Sequence, residues 1–168
     1  MPETLSDDIP DELGEAVERV LRRACDADLT IATAESCTGG LLASLLTDVQ
    51  GCSHAFECGF VVYTEAAKSQ MLGVPGEMIG RHGAVSEEVA RAMAEGALAR
   101  SEADVALSVT GFAGPGGDDE EEGLVHLACA RLGRETAHLE RRYGAIGRGP
   151  IRIRSLCDAV AMIEGMLD

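Results

Sequence analysis

Apolar residues at Leu13, Val17, Val20, Leu21 and Ala24 fall in steps of three and four, the stripe of one helical face. Pro10 suits the first turn of that helix, and Asp7, Asp8, Asp11 and Glu12 surround the positive end of its dipole. A short apolar run, Leu29 to Ala34, then reads as a strand that Gly39 and Gly40 break. Leu41, Leu42, Leu45 and Leu46 stripe a second helix. "GFVVY", Gly59 to Tyr63, predicts a strand, and "TEAAKSQML" a helix with Thr64 as N-cap. "HGAVSEEVARAMAEGALAR" predicts a further helix capped by Ser86, with Val89, Met93 and Leu98 turned inward.

The run "DVALSVT", Asp104 to Thr110, is continuously apolar in the way of a strand covered on both faces. A glycine-rich loop follows from Gly111 to Gly123. "LVHLACARL" and "TAHLERRY", joined around Gly133, predict a hairpin. From about Pro150 a last helix carries Leu156, Val160, Ile163 and Leu167 on one stripe. Strands alternating with helices and ending in a hairpin predict a three-layer α/β/α sandwich around a mixed, mostly parallel sheet.

Composition sharpens this picture. With 46% hydrophobic residues in 168, the chain can bury a core; with 3% aromatics and no tryptophan, that core must be aliphatic. No apolar run approaches the ~18 residues of a membrane span, and the acidic start "MPETLSDDIPDE" is unlike a targeting peptide. A cytoplasmic location is therefore expected. The net charge of −15 argues against nucleic acid or an anionic membrane as partner. Acidity with almost no lysine also suggests adaptation to high salt. The six cysteines form no CxxC pair, so free thiols are expected. Cys52, His54 and Cys58 lack the second cluster a metal site would need, and no metal is expected.

One feature of the charge pattern points to chemistry. Against thirteen arginines the chain has a single lysine, Lys68, shortly after Tyr63. Arginine cannot lose its proton, whereas a buried lysine can be held neutral and act as a base. Ser36, in "TIATAESCTGG", stands between a strand and a glycine-rich helix start. Its hydroxyl could attack a carbonyl while the N–H groups of Cys37, Thr38 or Gly39 hold the oxyanion. The rival role is simple capping of the second helix by Ser36. On one helix, Tyr63 and Lys68 would face about 140° apart. With Tyr63 ending a strand and Lys68 in the next helix, both can converge on the sheet's carboxyl edge, where open α/β sheets bind ligands. The tyrosine could then relay the proton. The loop from Gly111 to Gly117 can bring backbone close to a ligand, and the acidic run Asp118 to Glu122 reads as a solvated tip. Of Arg148, Arg152 and Arg154, one is expected to meet a substrate phosphate and two to pair with surface acids.

Together, "AESCTGGLLASLLTDVQGCS", "FECGFVVYTEAAKSQMLGV", "HGAVSEEVARAMAEGAL" and "VALSVTGFAGPGG" resemble the C-terminal domain of the CinA (competence-damage-inducible) family, which also occurs alone as nicotinamide-nucleotide amidase. The likeness is strong from about Leu13 to Gly117 and looser beyond. It implies one amidase-like domain over residues 1–168, with 1–9 flexible, and the family's larger N-terminal domain is expected to be absent. The implied reaction hydrolyses the amide of nicotinamide mononucleotide to nicotinate mononucleotide and ammonia, with no metal or cofactor. By the resemblance, Ser36 is the nucleophile, Tyr63 and Lys68 activate it, Thr110 and Gly111 line the nucleotide site, and Arg148 contacts the phosphate.

Two segments depart from the family pattern: "DDEEEGLV" stands where a lysine-proline segment and "VGTV" are usual, and "IGR" replaces "GDR". Both fall on the substrate side, which keeps open a second reading, a nucleotide-binding module without turnover. The Tyr–Lys pair of short-chain dehydrogenases needs four-residue spacing on one helix and an early glycine-rich dinucleotide turn, and this chain has neither. The partner expected is a small nucleotide substrate, with a homodimer favoured.

Overall fold

The computed structural model describes residues 9–168. The flexible stretch expected up to residue 9 and the dipole acids Asp7 and Asp8 fall on residues 1–8 and lie outside the described residues. Ile9 itself is half-buried against the core.

Helix α1 (Asp11–Asp26) starts after Pro10 and buries Leu13, Val17, Val20, Leu21 and Ala24, the stripe its sequence predicts. Strand β1 (Ile31–Glu35) is buried at every position. The short helix α2 (Leu41–Leu45) follows, then a single 3-10 turn at Ser53–Ala55. Strand β2 (Phe56–Val61) lies earlier than expected and stops before Tyr63. Helix α3 (Glu65–Leu72) is capped by the Thr64 hydroxyl, which accepts from Ala67 N–H. Helix α4 (Gly76–His82) is an addition to the sequence reading. Helix α5 (Glu87–Ala99) begins at Ser86, whose hydroxyl accepts from Val89 N–H. Strand β3 (Val105–Gly111), the hairpin of β4 (Leu124–Arg131) and β5 (Ala137–Arg142), and helix α6 (Arg148–Met166) complete the chain.

The strands form one sheet in the order β2-β1-β3-β4-β5. β1 runs parallel to β2 and β3, whereas β4 is antiparallel to both β3 and β5. Four of the five strands therefore point the same way, and the mixed α/β sandwich is as expected.

The two faces of the sheet differ in size. Ile31, Val105, Leu107, Val109 and Leu127 fill one side against α1 and α6, each large side chain contributing about 1.5–3 kcal/mol on burial. Ala32, Ala34, Ala106, Ala128 and Ala130 line the other, so α5 can lie close. The Ser108 hydroxyl donates to Ala90 O of α5 at 2.6 Å, which requires that proximity. Packing is equally close where α5 meets the end of α3: a Cβ on Gly96 would come 2.1 Å from Leu72 O.

Candidate active site

Ser36 follows directly on β1, and its N–H donates to Val109 O of the neighbouring β3 at 3.0 Å. The chain then turns sharply through Gly39 (φ 63°) and Gly40 (φ 97°), successive left-handed positions that favour glycine. The turn is held from inside by Glu35. This carboxylate is fully buried and accepts from the Thr38 hydroxyl (2.6 Å) and from the N–H groups of Gly40 (3.2 Å), Leu42 (3.1 Å) and Ala43 (2.8 Å). Glu35, not Ser36, thus satisfies the first turn of α2, and the capping role weighed for the serine is displaced. The sequence signal for this role is an acid at the end of a buried run beside a glycine turn.

Lys68 enters from α3, after the adjacent strand β2, and is 1% exposed. Its Nζ lies 3.0 Å from Ser36 Oγ, 3.0 Å from Val62 O and 3.4 Å from Tyr63 O. Two of these partners are carbonyls, which only accept; the serine hydroxyl alone can donate. An ammonium could donate to all three, whereas the neutral form gives two N–H bonds to the carbonyls and turns its lone pair to the Ser36 proton. No described acid forms an ion pair with Lys68. Burial pulls its pKa below the ordinary lysine value, with Cys37 and Glu65 opposing more weakly.

Tyr63 stands apart from this contact. Its side chain is two-thirds exposed, and its phenol makes no hydrogen bond to a described group, so no hydroxyl is interposed between Ser36 and Lys68. It borders the same pocket, a cavity of about 290 Å³ into which Ser36, Cys37 and Lys68 open. Thr110 and Gly111 form the β3 wall, the Thr110 hydroxyl donating to Ala84 O at 2.8 Å. Phe112 to Pro115 border the cavity, from the loop expected to approach a ligand; Ala84, Val85 and Glu120 also border it and were not anticipated, Glu120 coming from the acidic run read as a solvated tip.

Arg148 reaches the pocket from the first turn of α6 and packs on the glycine loop, where a Cβ on Gly114 would lie 2.7 Å from its Nη2. It forms no ion pair with a described acid. The other two arginines correct the expectation of surface pairing. Arg154 is exposed without an acidic partner among the described residues, and Arg152 Nε donates to Cys37 O at 2.7 Å.

The three backbone amides expected to hold an oxyanion differ in their surroundings. Gly39 N–H is already given to Ser36 O at 3.1 Å, and Thr38 is fully buried and does not border the pocket. Cys37 N–H meets no described group beyond its own thiol and belongs to a pocket residue, so of the three it is the one open to the pocket. The Cys37 thiol is buried and its pKa pushed up to about 12, leaving it inert beside the serine.

Among the described residues no group of three or more His, Cys, Asp or Glu side chains is arranged to hold a metal, and no helix is long and apolar enough to cross a membrane. The six cysteines are free; Cys37, Cys52 and Cys129 are buried, and Cys157 is exposed.

Fold and site define an α/β sandwich with a buried serine–lysine pair opening on a polar pocket at the carboxyl edge of its parallel strands. The chain belongs to the CinA family: the CinA C-terminal domain matches residues 14–167. A CinA-like protein of Akkermansia muciniphila is 55% identical over 126 residues, 73% of this chain and 30% of that protein. A putative competence-damage inducible protein of Symbiobacterium thermophilum is 54% identical over 125 residues, 73% of this chain and 29% of that one. The chain thus spans less than a third of these relatives. Among solved structures, the competence/damage inducible protein of Agrobacterium tumefaciens superposes with a TM-score of 0.93 at 42% identity, covering 97% of this chain and 100% of that one. A CinA superfamily protein of Escherichia coli gives 0.85 at 31% identity, covering 98% and 93%.

Proposed function

We propose that the chain is an amidohydrolase that converts nicotinamide mononucleotide to nicotinate mononucleotide and ammonia through an acyl-Ser36 intermediate. The observation that carries this reading is the 3.0 Å contact between Ser36 Oγ and a buried lysine whose other partners are carbonyls. Neutral Lys68 takes the Ser36 proton as Oγ attacks the carboxamide carbon, and the oxygen that becomes negative lies at the Cys37 N–H. Collapse returns the proton from Lys68 to the leaving nitrogen, which departs as ammonia. Water then attacks the acyl-serine, giving its proton to Lys68, and Ser36 recovers a proton as the carboxylate leaves. Arg148 faces the substrate phosphate, and Tyr63 flanks the entrance from the rim.

The test is ammonia release from nicotinamide mononucleotide, assayed across salt concentrations. Ser36→Ala should abolish it, and ammonia that persists in this variant would refute the nucleophile assignment. The altered segment from Asp118 to Glu122, with Glu120 on the pocket wall, favours a second reading, a nucleotide-binding module without turnover. Saturable nucleotide binding by calorimetry with no ammonia would select that one.

A further inference from the structure

Arg152 is spent on a backbone carbonyl in a chain whose net charge is −15. Six other arginines pair with acids, yet Arg152 Nε goes to Cys37 O, 115 residues away, with no described carboxylate in ion-pair range. The guanidinium lies against the glycine turn, where a Cβ on Gly39 would stand in ordinary contact, 3.7 Å from Nη2.

The carbonyl it holds belongs to Cys37, whose N–H meets nothing beyond its own thiol among the described groups and borders the pocket. Peptide units are planar, and no described one is cis; Cys37 N–H shares its unit with Ser36 O, and Cys37 O shares the next unit with Thr38 N–H. The unit before Cys37 is fixed by Gly39 N–H on Ser36 O at 3.1 Å, and the unit after it by Arg152 on Cys37 O at 2.7 Å. Cys37 is therefore clamped from both sides, and its N–H has one direction available.

We propose that Arg152 is a positioning residue for the oxyanion: it reaches across the fold to lock the Cys37 backbone, so that the Cys37 N–H is aimed before the substrate arrives. This rests on the acyl-transfer reading of Ser36. It differs from a phosphate-binding role, which would use Arg152 to hold ground-state substrate.

The test compares Arg152→Met and Arg152→Lys with the wild-type protein, each first checked for folding by circular dichroism and thermal unfolding. With nicotinamide mononucleotide, Arg152→Met should lower kcat by about 10- to 100-fold, below the loss from deleting a direct oxyanion donor, with KM within about twofold. Arg152→Lys keeps the charge and should recover part of the loss; it also carries the comparison if the methionine variant does not fold. An unchanged kcat, or a raised KM with kcat intact, overturns the proposal.

A second probe does not depend on amide turnover. Phenylboronic acid adds to a serine oxygen: the Oγ–B bond forms, the hydroxyl proton passes to Lys68, and trigonal boron becomes a tetrahedral anion visible by boron NMR. Wild type should form this adduct, Ser36→Ala should not, and Arg152→Met should bind it at least about tenfold more weakly. Equal binding by wild type and Arg152→Met, or no adduct in wild type, overturns the positioning role. Absent ammonia with an adduct that Arg152→Met weakens would sink the amidase reading and leave the role of Arg152 standing.

Discussion

Replacing Lys68 by methionine isolates what the buried amine does. The side chains are close in volume, so the packing around a residue 1% exposed is kept and three contacts are lost. Two of these are the bonds to Val62 O and Tyr63 O, each worth about 0.5–1.5 kcal/mol net. Against them stands relief from burying an amine, so the midpoint of urea unfolding at neutral pH should move by no more than the equivalent of about 2 kcal/mol. The sign with pH follows from burial. The folded lysine has a pKa below its ordinary value of 10.5, so the native state holds fewer protons than the unfolded chain between the two values. Wild-type stability therefore rises with pH across that window, and the full penalty applies below the folded value. The methionine variant lacks the penalty and should gain on wild type as pH falls. Activity runs the other way. Loss of the base should lower ammonia release by about 10²- to 10⁴-fold at every pH, while the wild-type rate climbs with pH to a plateau reached below 10.5. A methionine variant within tenfold of wild type, or a wild-type rate still climbing at 10.5, would refute the argument that Lys68 serves as a neutral base.

Three further outcomes test other parts of the molecule. Glu35→Gln presents an amide NH₂ to a site whose four partners all donate, so it should destabilise the fold by roughly 2–3 kcal/mol, read as a lower urea midpoint, and reduce activity by loosening the Ser36 turn. His126 is held below its ordinary 6.5 chiefly by burial, with His138 and Arg142 in the same sense and Glu140 and Glu87 opposing. Stability should thus fall as pH drops below 6.5, and His126→Gln should lose less between pH 7 and 5; equal losses in urea melts would remove His126 as the cause. Finally, a net charge of −15 predicts unfolding midpoints that rise from low to molar KCl, and indifference to salt would remove the adaptation argument.

How much of this was legible depended on where each residue's partners lie. The stripes of α1 and α6 and the caps Thr64 and Ser86 were readable because the signal and the structure it specifies are neighbours in sequence. Helix α4 escaped because "GEMIGRH" carries two glycines and one buried residue, Ile79, so packing rather than pattern holds it. Strand β2 was misplaced for a related reason: as an edge strand it alternates half-buried Phe56, Cys58 and Phe60 with exposed Glu57, Gly59 and Val61, and the apolar "FVVY" drew the boundary too far along. At the site, Ser36 and Lys68 were conspicuous by residue type. Glu35 was signalled only by its place between a buried run and a glycine turn, and Arg152 acts on a backbone carbonyl 115 residues away, a partner that no side-chain pattern announces.

Ser36 and Lys68 follow neighbouring parallel strands, with Glu35 of β1 registered on Val61 of β2 and the ladder shifted by one residue between Ile31 and Ala32. Their separation is thus inherited from the alignment of two rails, one of which has an open flank. Glu57 is the unpaired residue at that shift, so it is the loss of a paired one such as Gly59 that would slide the lysine's rail along the serine's, parting base and nucleophile while leaving both of them, and every helix, intact in composition. Ammonia release would then serve as a gauge of sheet registry.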